Sequence, residues 1–418
     1  MNILNYHTDI LKMIPDMKTG NDLISALEIL PKYNNNICKK PIAERLIALS
    51  DLYNIYIPSD MSIEIYNKLY LSLLQSLKKK SSSVSIIQRY ENHKEIISQE
   101  YRGIMGGTDS FTIIGCSGIG KSTSISRAIN LITNNSVIQL NNPYTKIIPC
   151  LVVQCPFDSS VKGLLLEILR KVDEQLGSNY YEYSIRRNAT TDMLIGCVSQ
   201  IALNHIGILI VDESQNVCNN KNGKKLIGIL TQLINNSGIS ICMVGTPECS
   251  SFFEQEMQLA RRSLGLKYDA MKYDIHFRRF CEKMLSYRYV KQEISITNSL
   301  IEWLYEHSCG IASVVVSLIH DAQEIAILTQ KESLDIETLT QAYQKRLSLL
   351  HEHIKIKLPT KTIPAKSKQS FVFKSPDKIH KLSSSKFTLK ELVDMSKKNN
   401  TDAIKLIKET FIVEEVKI

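Results

Sequence analysis

The 418 residues contain no Cys-x-x-Cys pair, and none of the ten cysteines stands with histidine at a zinc-ligand spacing. A structural zinc site and a zinc finger are thereby excluded. Several cysteines fall in apolar runs (Cys150, Cys155 and Cys242), where cysteine is a small hydrophobe. The scatter favours a reduced, cytoplasmic compartment. No apolar run reaches the roughly 18 residues of a membrane span, so no membrane partner is expected. The opening MNILNYHTDILKMIPDMK mixes acids and bases early and lacks a signal-peptide core.

What is present is a globular composition, 44% hydrophobic and 22% charged, in a chain long enough for two or more folded units. The formal net charge is +9 and the isoelectric point about 8.9. That balance admits a polyanionic partner but does not say where the cations sit.

The stretch FTIIGCSGIGKST, residues 111–123, turns from an apolar run into glycines, a lysine and hydroxyls. Phe111–Ile114 reads as a buried strand. Gly115, Gly118 and Gly120 let the backbone turn so that N–H groups converge, with Cys116, Ser117 and Ile119 between them. Lys121 supplies positive charge to the β- and γ-phosphates, and Ser122 a hydroxyl for Mg²⁺. Thr123 then opens a helix whose N-terminus faces the phosphates. Strand, loop and helix together predict a nucleotide site.

Coarse periodicity predicts four regions. Residues 1–100 read as an N-terminal helical region, clearest over Met61–Lys80, where Ile63, Tyr66, Tyr70, Leu73, Leu74 and Leu77 recur at helical spacing behind a stop at Pro58 and a cap at Ser59 or Asp60. Residues 101–290 alternate strands and helices. The candidate strands are Phe111–Ile114, Ile147–Gln154, Ile206–Val211, Ile239–Val244 and Met271–Ile275, which predict a parallel sheet flanked by helices. Residues 291–354 carry helical stretches at Ser299–His307, Ala312–Thr329 and Ile336–Leu350, a small helical lid domain. Residues 355–418 form a basic tail: Lys355–Lys386 holds nine lysines against the single acid Asp377, plus three prolines, and reads as a flexible linker before short terminal helices. Those helices read either as a docking peptide or as a tail packing on its own body.

GILIVDES, residues 207–214, ends a predicted strand in Asp212 and Glu213. Strand carboxyl ends are where an open parallel sheet binds its ligand. Asp212 is placed to hold Mg²⁺ with Ser122, and Glu213 to polarise the attacking water. The strand Ile147–Gln154, lying between the two motifs in sequence, is expected to insert between their strands. MVGTPE then ends a further strand at Thr246, a candidate γ-phosphate sensor, where the plain alternative is a turn residue. Arg261 and Arg262 in LARRSLG read either as a solvated pair or as a finger reaching a neighbouring subunit's γ-phosphate, Arg262 being favoured.

Together these residues resemble an AAA+ ATPase over about residues 50–350: phosphate loop, Asp-Glu strand, polar sensor, trans-acting arginine and helical lid. Many AAA+ lids carry an arginine in a G-x-x-R setting; CGIASVVVSLIHDAQEIAI has Ser313 there instead. The finer resemblance is to the TnsC/TniB family of transposition regulators. Residues 45–80, GCSGIGKST, LIVDESQN, MVGTPE, LARRSLG and GIASVVVSLIHDAQEIAI follow one another as in TnsC, Ala322–Ile327 being the more particular block.

The resemblance implies an ATPase that uses ATP and Mg²⁺ and assembles on double-stranded DNA as a ring or helical filament. It implies further that the assembly connects a TniQ/TnsD-like target selector, met by the N-terminal region, to transposase subunits, met by the tail. Sequence-nonspecific backbone contacts would serve such an assembly. Lys162, with Ser159 and Ser160 beside it, is a candidate contact; a capped helix start is the alternative. No helix-turn-helix or nuclease motif is apparent, so target choice and cutting belong to partners. Two other readings stand beside this one: a helicase-loader or initiator-type ATPase, and an ATP-gated switch acting on protein alone.

Overall fold

A computed structural model describes residues 14–80, 110–134, 137–139, 146–218, 220, 222–250 and 263–346. The chain divides into two compact units, Met1–Pro359 and Thr360–Ile418, the second lying outside the described residues. The order of elements is α1 (Gly20–Leu27), α2 (Ile42–Leu49), α3 (Asp60–Lys80), β1 (Ser110–Gly115), α4 (Lys121–Thr133), β2 (Ile138–Gln139), β3 (Lys146–Gln154), α5 (Val161–Leu176), α6 (Tyr180–Arg186), α7 (Thr191–His205), β4 (Ile206–Asp212), α8 (Gln215–Cys218), α9 (Gly223–Ser237), β5 (Ser240–Gly245), β6 (Ser263–Tyr268), α10 (Ile275–Leu285), α11 (Asn298–Ser308), α12 (Ala312–Leu328) and α13 (Ile336–Arg346). Among these residues no single helix is long and apolar enough to cross a membrane.

The strands lie in the order β2-β3-β4-β5-β1-β6. β1 pairs in parallel with β5 and β6, and β4 with β3 and β5; β2 runs antiparallel at one edge. A parallel strand covered on both faces must be apolar throughout, and the side chains of β1, β5 and all of β4 up to Asp212 are buried. Register brings the functional ends together: Ile114 lies opposite Gly245, and Gln154 opposite Asp212.

Two sequence expectations are corrected here. The strand inserted between β1 and β4 is β5, not Ile147–Gln154; β3 lies on the far side of β4. The sixth strand is Ser263–Tyr268 and not Met271–Ile275. Met271 N instead donates to Gly310 O at 3.0 Å, joining the sheet's exit to the lid, and Ile275 opens α10 behind an Asp274 cap.

Among the described residues the layering gives three cores. Leu164, Ile168, Val198, Leu230 and Ile234 of α5, α7 and α9 pack on one face of the sheet. Leu23, Leu69, Leu73 and Ile129 of α1, α3 and α4 cover the other. The helices of the expected lid, α11–α13, form the third together with α10, which precedes residue 291, and with Leu49 and Leu52 from the N-terminal segment. Of the stripe expected on α3, Tyr66, Tyr70, Leu73 and Leu77 are buried, and Ile63 and Leu74 half-buried. The start of α3 is fixed at Ser59, whose N–H donates to Ser62 Oγ at 3.1 Å and whose carbonyl accepts from Ser62 N at 2.9 Å. At its other end the buried Lys80 ammonium donates to Ala202 O and Leu203 O at 2.7 and 2.6 Å. Those carbonyls belong to the last turn of α7, the end of a helix that favours a cation.

Candidate nucleotide-binding site

The loop between β1 and α4 is shaped by its glycines. Gly118 and Gly120 have φ of 81° and 100°, a region that side chains disfavour. A Cβ on Gly115 would lie 2.5 Å from Ile119 Cδ1 and 2.8 Å from Tyr268 O, so the loop starts tight against β6 and its own Ile119. Gly120 is the N-cap of α4 and offers no side-chain cap, leaving the first turn's N–H groups for a ligand. Lys121 Nζ donates to Gly115 O and Cys116 O at 2.6 and 2.8 Å. Burial pushes its ammonium below the ordinary value, against the opposing pull of Asp212 and, more weakly, Glu213.

The acid pair closes the site. Ser122 Oγ donates to Asp212 Oδ2 at 2.9 Å across 90 residues, and Glu213 N donates to Asp212 Oδ1 at 2.8 Å. Glu213 itself has φ 58°, a left-handed conformation that is strained for a residue with a side chain. The turn holds it there: Ser214 N donates to Val244 O at 2.9 Å, and buried Ser214 Oγ to Val211 O at 3.0 Å. Thr246, at the end of β5, donates through Oγ1 to Glu248 Oε2 at 3.0 Å.

The cleft between these groups has a volume of about 280 Å³ and is lined by Ser117, Gly118, Gly120, Lys121, Ser122, Thr123, Asp212, Glu213, Gln215, Gly245, Thr246 and Ser313. The residues fit a nucleoside triphosphate with a divalent cation. Inward N–H groups and Lys121 suit phosphate, and a hydroxyl bonded to a carboxylate presents two hard oxygen ligands. Mg²⁺ held by Ser122 and Asp212 would neutralise charge on the phosphate oxygens. Lys121's bonds to the loop carbonyls are those it would exchange for phosphate.

The structure thus brings the phosphate loop, Asp212, Glu213 and Thr246 to one edge. Cys116 and Ile119 support the loop from within. Arg261 and Arg262 lie outside the described residues. Ser159 is buried and its Oγ donates to Asn216 O at 2.7 Å, while Ser160 Oγ accepts from Gly163 N at 3.2 Å and caps α5. Both hydroxyls are thereby used inside the fold, and of that trio only Lys162 stands exposed and unpaired among the described residues.

Three contributors escaped the sequence reading. Ser313 N donates to Gly118 O at 3.1 Å, so the lid touches the phosphate loop directly; its place in the G-x-x-R setting was the available signal. Gln215 lines the cleft beside Glu213, within the DESQN run. Tyr56 OH lies within hydrogen-bond distance of Ser62 Oγ and Ser124 Oγ, at 2.7 and 2.9 Å, tying the segment before α3 to α4; no local pattern marks it.

A family profile described as an AAA domain matches residues 104–253. No curated protein matches the chain. Among solved structures, the Aeropyrum pernix ORC2 protein in its ADP form is 16% identical with a TM-score of 0.39, over 62% of this chain and 67% of that one. Drosophila ORC bound to DNA is 12% identical with a TM-score of 0.46, over 79% and 70%. The Thermotoga maritima RuvB Holliday junction branch migration motor is 11% identical with a TM-score of 0.36, over 67% and 68%. The fold is that of an AAA+ P-loop NTPase: a phosphate loop on β1, an Asp-Glu pair on β4, and β5 between them. The chain carries an AAA+ ATPase domain, with the nucleotide-hydrolysing type of activity that such a domain implies.

Proposed function

We propose that this protein is an ATP-gated, sequence-nonspecific DNA-binding regulator of transposition, which assembles on target DNA and links a target selector to a transposase. The ATP half rests on one observation, the Ser122–Asp212 hydrogen bond of 2.9 Å with Glu213 beside it. That geometry offers a cation site next to the Glu213 carboxylate, which takes a proton from the water that attacks the γ-phosphate.

The DNA half is supported by the loop after β3 and its neighbour. Asn220 Nδ2 donates to Phe157 O at 2.7 Å, and Asn216 Nδ2 to Cys155 O at 3.0 Å, fastening the approach to α9 against the approach to α5. The first turns of these helices carry Lys162, Lys224 and Lys225, all exposed and in no ion pair among the described residues. Phe157, in the loop that Asn220 fastens, is 86% exposed. In a ring or filament, clustered unpaired lysines track phosphates without reading bases.

The transposition role rests on the succession of TnsC-like blocks quoted above, and the selector and transposase partners come with it. Electron microscopy with short duplex DNA, comparing a slowly hydrolysed ATP analogue, ADP and no nucleotide, tests the reading. Rings or filaments on DNA with the analogue alone are expected. Particles indifferent to DNA would favour the protein-only switch. A transposition assay with a chain lacking residues 355–418 then tests the transposase link: ATPase activity is retained and transposition lost.

A further inference from the structure

Gln215, the first residue of α8, is hydrogen-bonded through only one end of its amide. Its Nε2 donates to Glu213 Oε2, while Oε1 is buried and has no hydrogen-bond partner among the described residues. The nitrogen faces Glu213 because an ionised carboxylate accepts and does not donate. Leaving an amide oxygen buried and unpaired is costly, because its desolvation is not repaid. The bond to Glu213 therefore satisfies only half of the amide.

The backbone fixes the site of this amide. The Ser214 bonds to Val244 and Val211 pin the turn to the ends of β5 and β4. Gly245 closes the other side: a Cβ there would stand 3.5 Å from both Gln215 N and Gln215 Oε1, and 2.8 Å from Cys249 Sγ. Gln215 thus lies between the Glu213 carboxylate and the strand end that carries Thr246, lining the same cleft as both.

We propose that Gln215 positions the base and its water for hydrolysis. The amide N–H holds the Glu213 carboxylate at the cleft, and the unpaired Oε1, uncovered toward the cleft when substrate binds, accepts one O–H of the attacking water. The water oxygen forms a bond to the γ-phosphorus as the bond to the β–γ bridging oxygen breaks. ADP leaves with that electron pair, and the water's other proton passes to Glu213. Gln215 exchanges no proton; it orients a nucleophile that Glu213 alone would hold by one contact. This inference rests on the reading of Glu213 as the base.

The experiment is a double-mutant cycle on the full chain, with single-turnover ATP hydrolysis and equilibrium ATP binding as readouts. Gln215→Leu keeps the bulk and removes both polar atoms. It is expected to slow hydrolysis about 10–100-fold, the scale of losing an orienting contact, with ATP affinity held within threefold. In a Glu213→Gln background the same change is expected to add nothing. Hydrolysis within twofold of the parent, an equal loss in both backgrounds, or a parallel loss of ATP binding would each overturn the proposal. Should Gln215→Leu fail to fold, Gln215→Asn, which withdraws the amide by one methylene, is read by the same criteria. Unchanged turnover in Glu213→Gln alone sinks the base assignment itself, an outcome separable from a failure of Gln215.

Discussion

Arg45 Nη1 and Nη2 donate to the two carboxylate oxygens of Glu332 at 2.7 Å each, joining residues 287 positions apart. Nη1 also reaches Tyr289 O at 3.1 Å, and Arg45 is only 1% exposed. Around this pair Tyr33 OH donates to Arg288 O at 2.6 Å and Tyr287 OH to Pro31 O at 3.1 Å. The segment before α3 is therefore a strap on the lid, while α3 itself packs on the sheet. Both attachments meet near the phosphate loop, where Tyr56 bonds to Ser124.

Breaking that pair from one side leaves a buried guanidinium uncompensated. Glu332→Gln is expected to cost about 3–5 kcal/mol, the usual loss when one partner of a buried pair is removed. Thermal unfolding of the two proteins checks it. The Arg45 hydrogen bond holds the Glu332 carboxyl below its ordinary range. A lowered folded-state value gives stability that is present above the unfolded-state value and lost as pH falls through the folded one. Below about pH 4.3, the ordinary Glu value, the parent should lose more stability than Glu332→Gln does. Equal acid sensitivity would count against the pair.

Glu213→Gln keeps the shape of the acid and removes its basicity. ATP binding is expected to persist, turnover to fall by about 10²–10⁴, and DNA-bound assemblies to accumulate. Turnover near the parent's in a phosphate-release assay would refute the role.

Gly118 is where the lid meets the loop. A Cβ there would stand 2.3 Å from Ser313 Oγ and 3.0 Å from Ile311 Cγ2, at a φ of 81°. Gly118→Ala should therefore push α12 away and weaken ATP binding about tenfold or more, with the backbone strain adding roughly 1 kcal/mol. Calorimetric titration with a slowly hydrolysed analogue measures it; unaltered affinity would mean the lid contact is dispensable.

Lys162→Ala, Lys224→Ala and Lys225→Ala should each weaken DNA binding alike on unrelated sequences. Each should also lower the slope of log affinity against log salt by about 1. Hydrolysis without DNA should stay within twofold of the parent. Binding titrations at several salt concentrations decide the matter, and an unchanged slope in all three would place the interface elsewhere.

Much of this site was legible because its parts are contiguous. Residues 115–123 state their own geometry: glycines where φ turns positive, then lysine and hydroxyl. Asp212 and Glu213 end an unbroken apolar run, and Thr246 ends another. Helix ends were close as well, α12 reaching Leu328 where Thr329 was expected. The edge strand was missed for a physical reason. SLGLKY and MKYDI are both short and mixed, and the former is a strand because β1 offers it a partner from Ser110↔Ser263 to Gly115↔Tyr268. Strand order was misread because parallel neighbours are joined by long crossovers, so sequence adjacency does not report spatial adjacency.

The sequence by itself determined the phosphate loop, the acid pair and the alternation of strands with helices, since each depends on residues close in the chain and on periodicity. Only the tertiary structure decided that β5 separates β1 from β4, that Gln215 faces Glu213 with one polar atom unpaired, and that the N-terminal strap holds the lid through Arg45. The first and last of these join residues 131 positions apart at Ile241 and Ser110, and 287 apart at Arg45 and Glu332. They exist because burying apolar faces and pairing buried polar groups favours one packing of the whole, which no local pattern encodes.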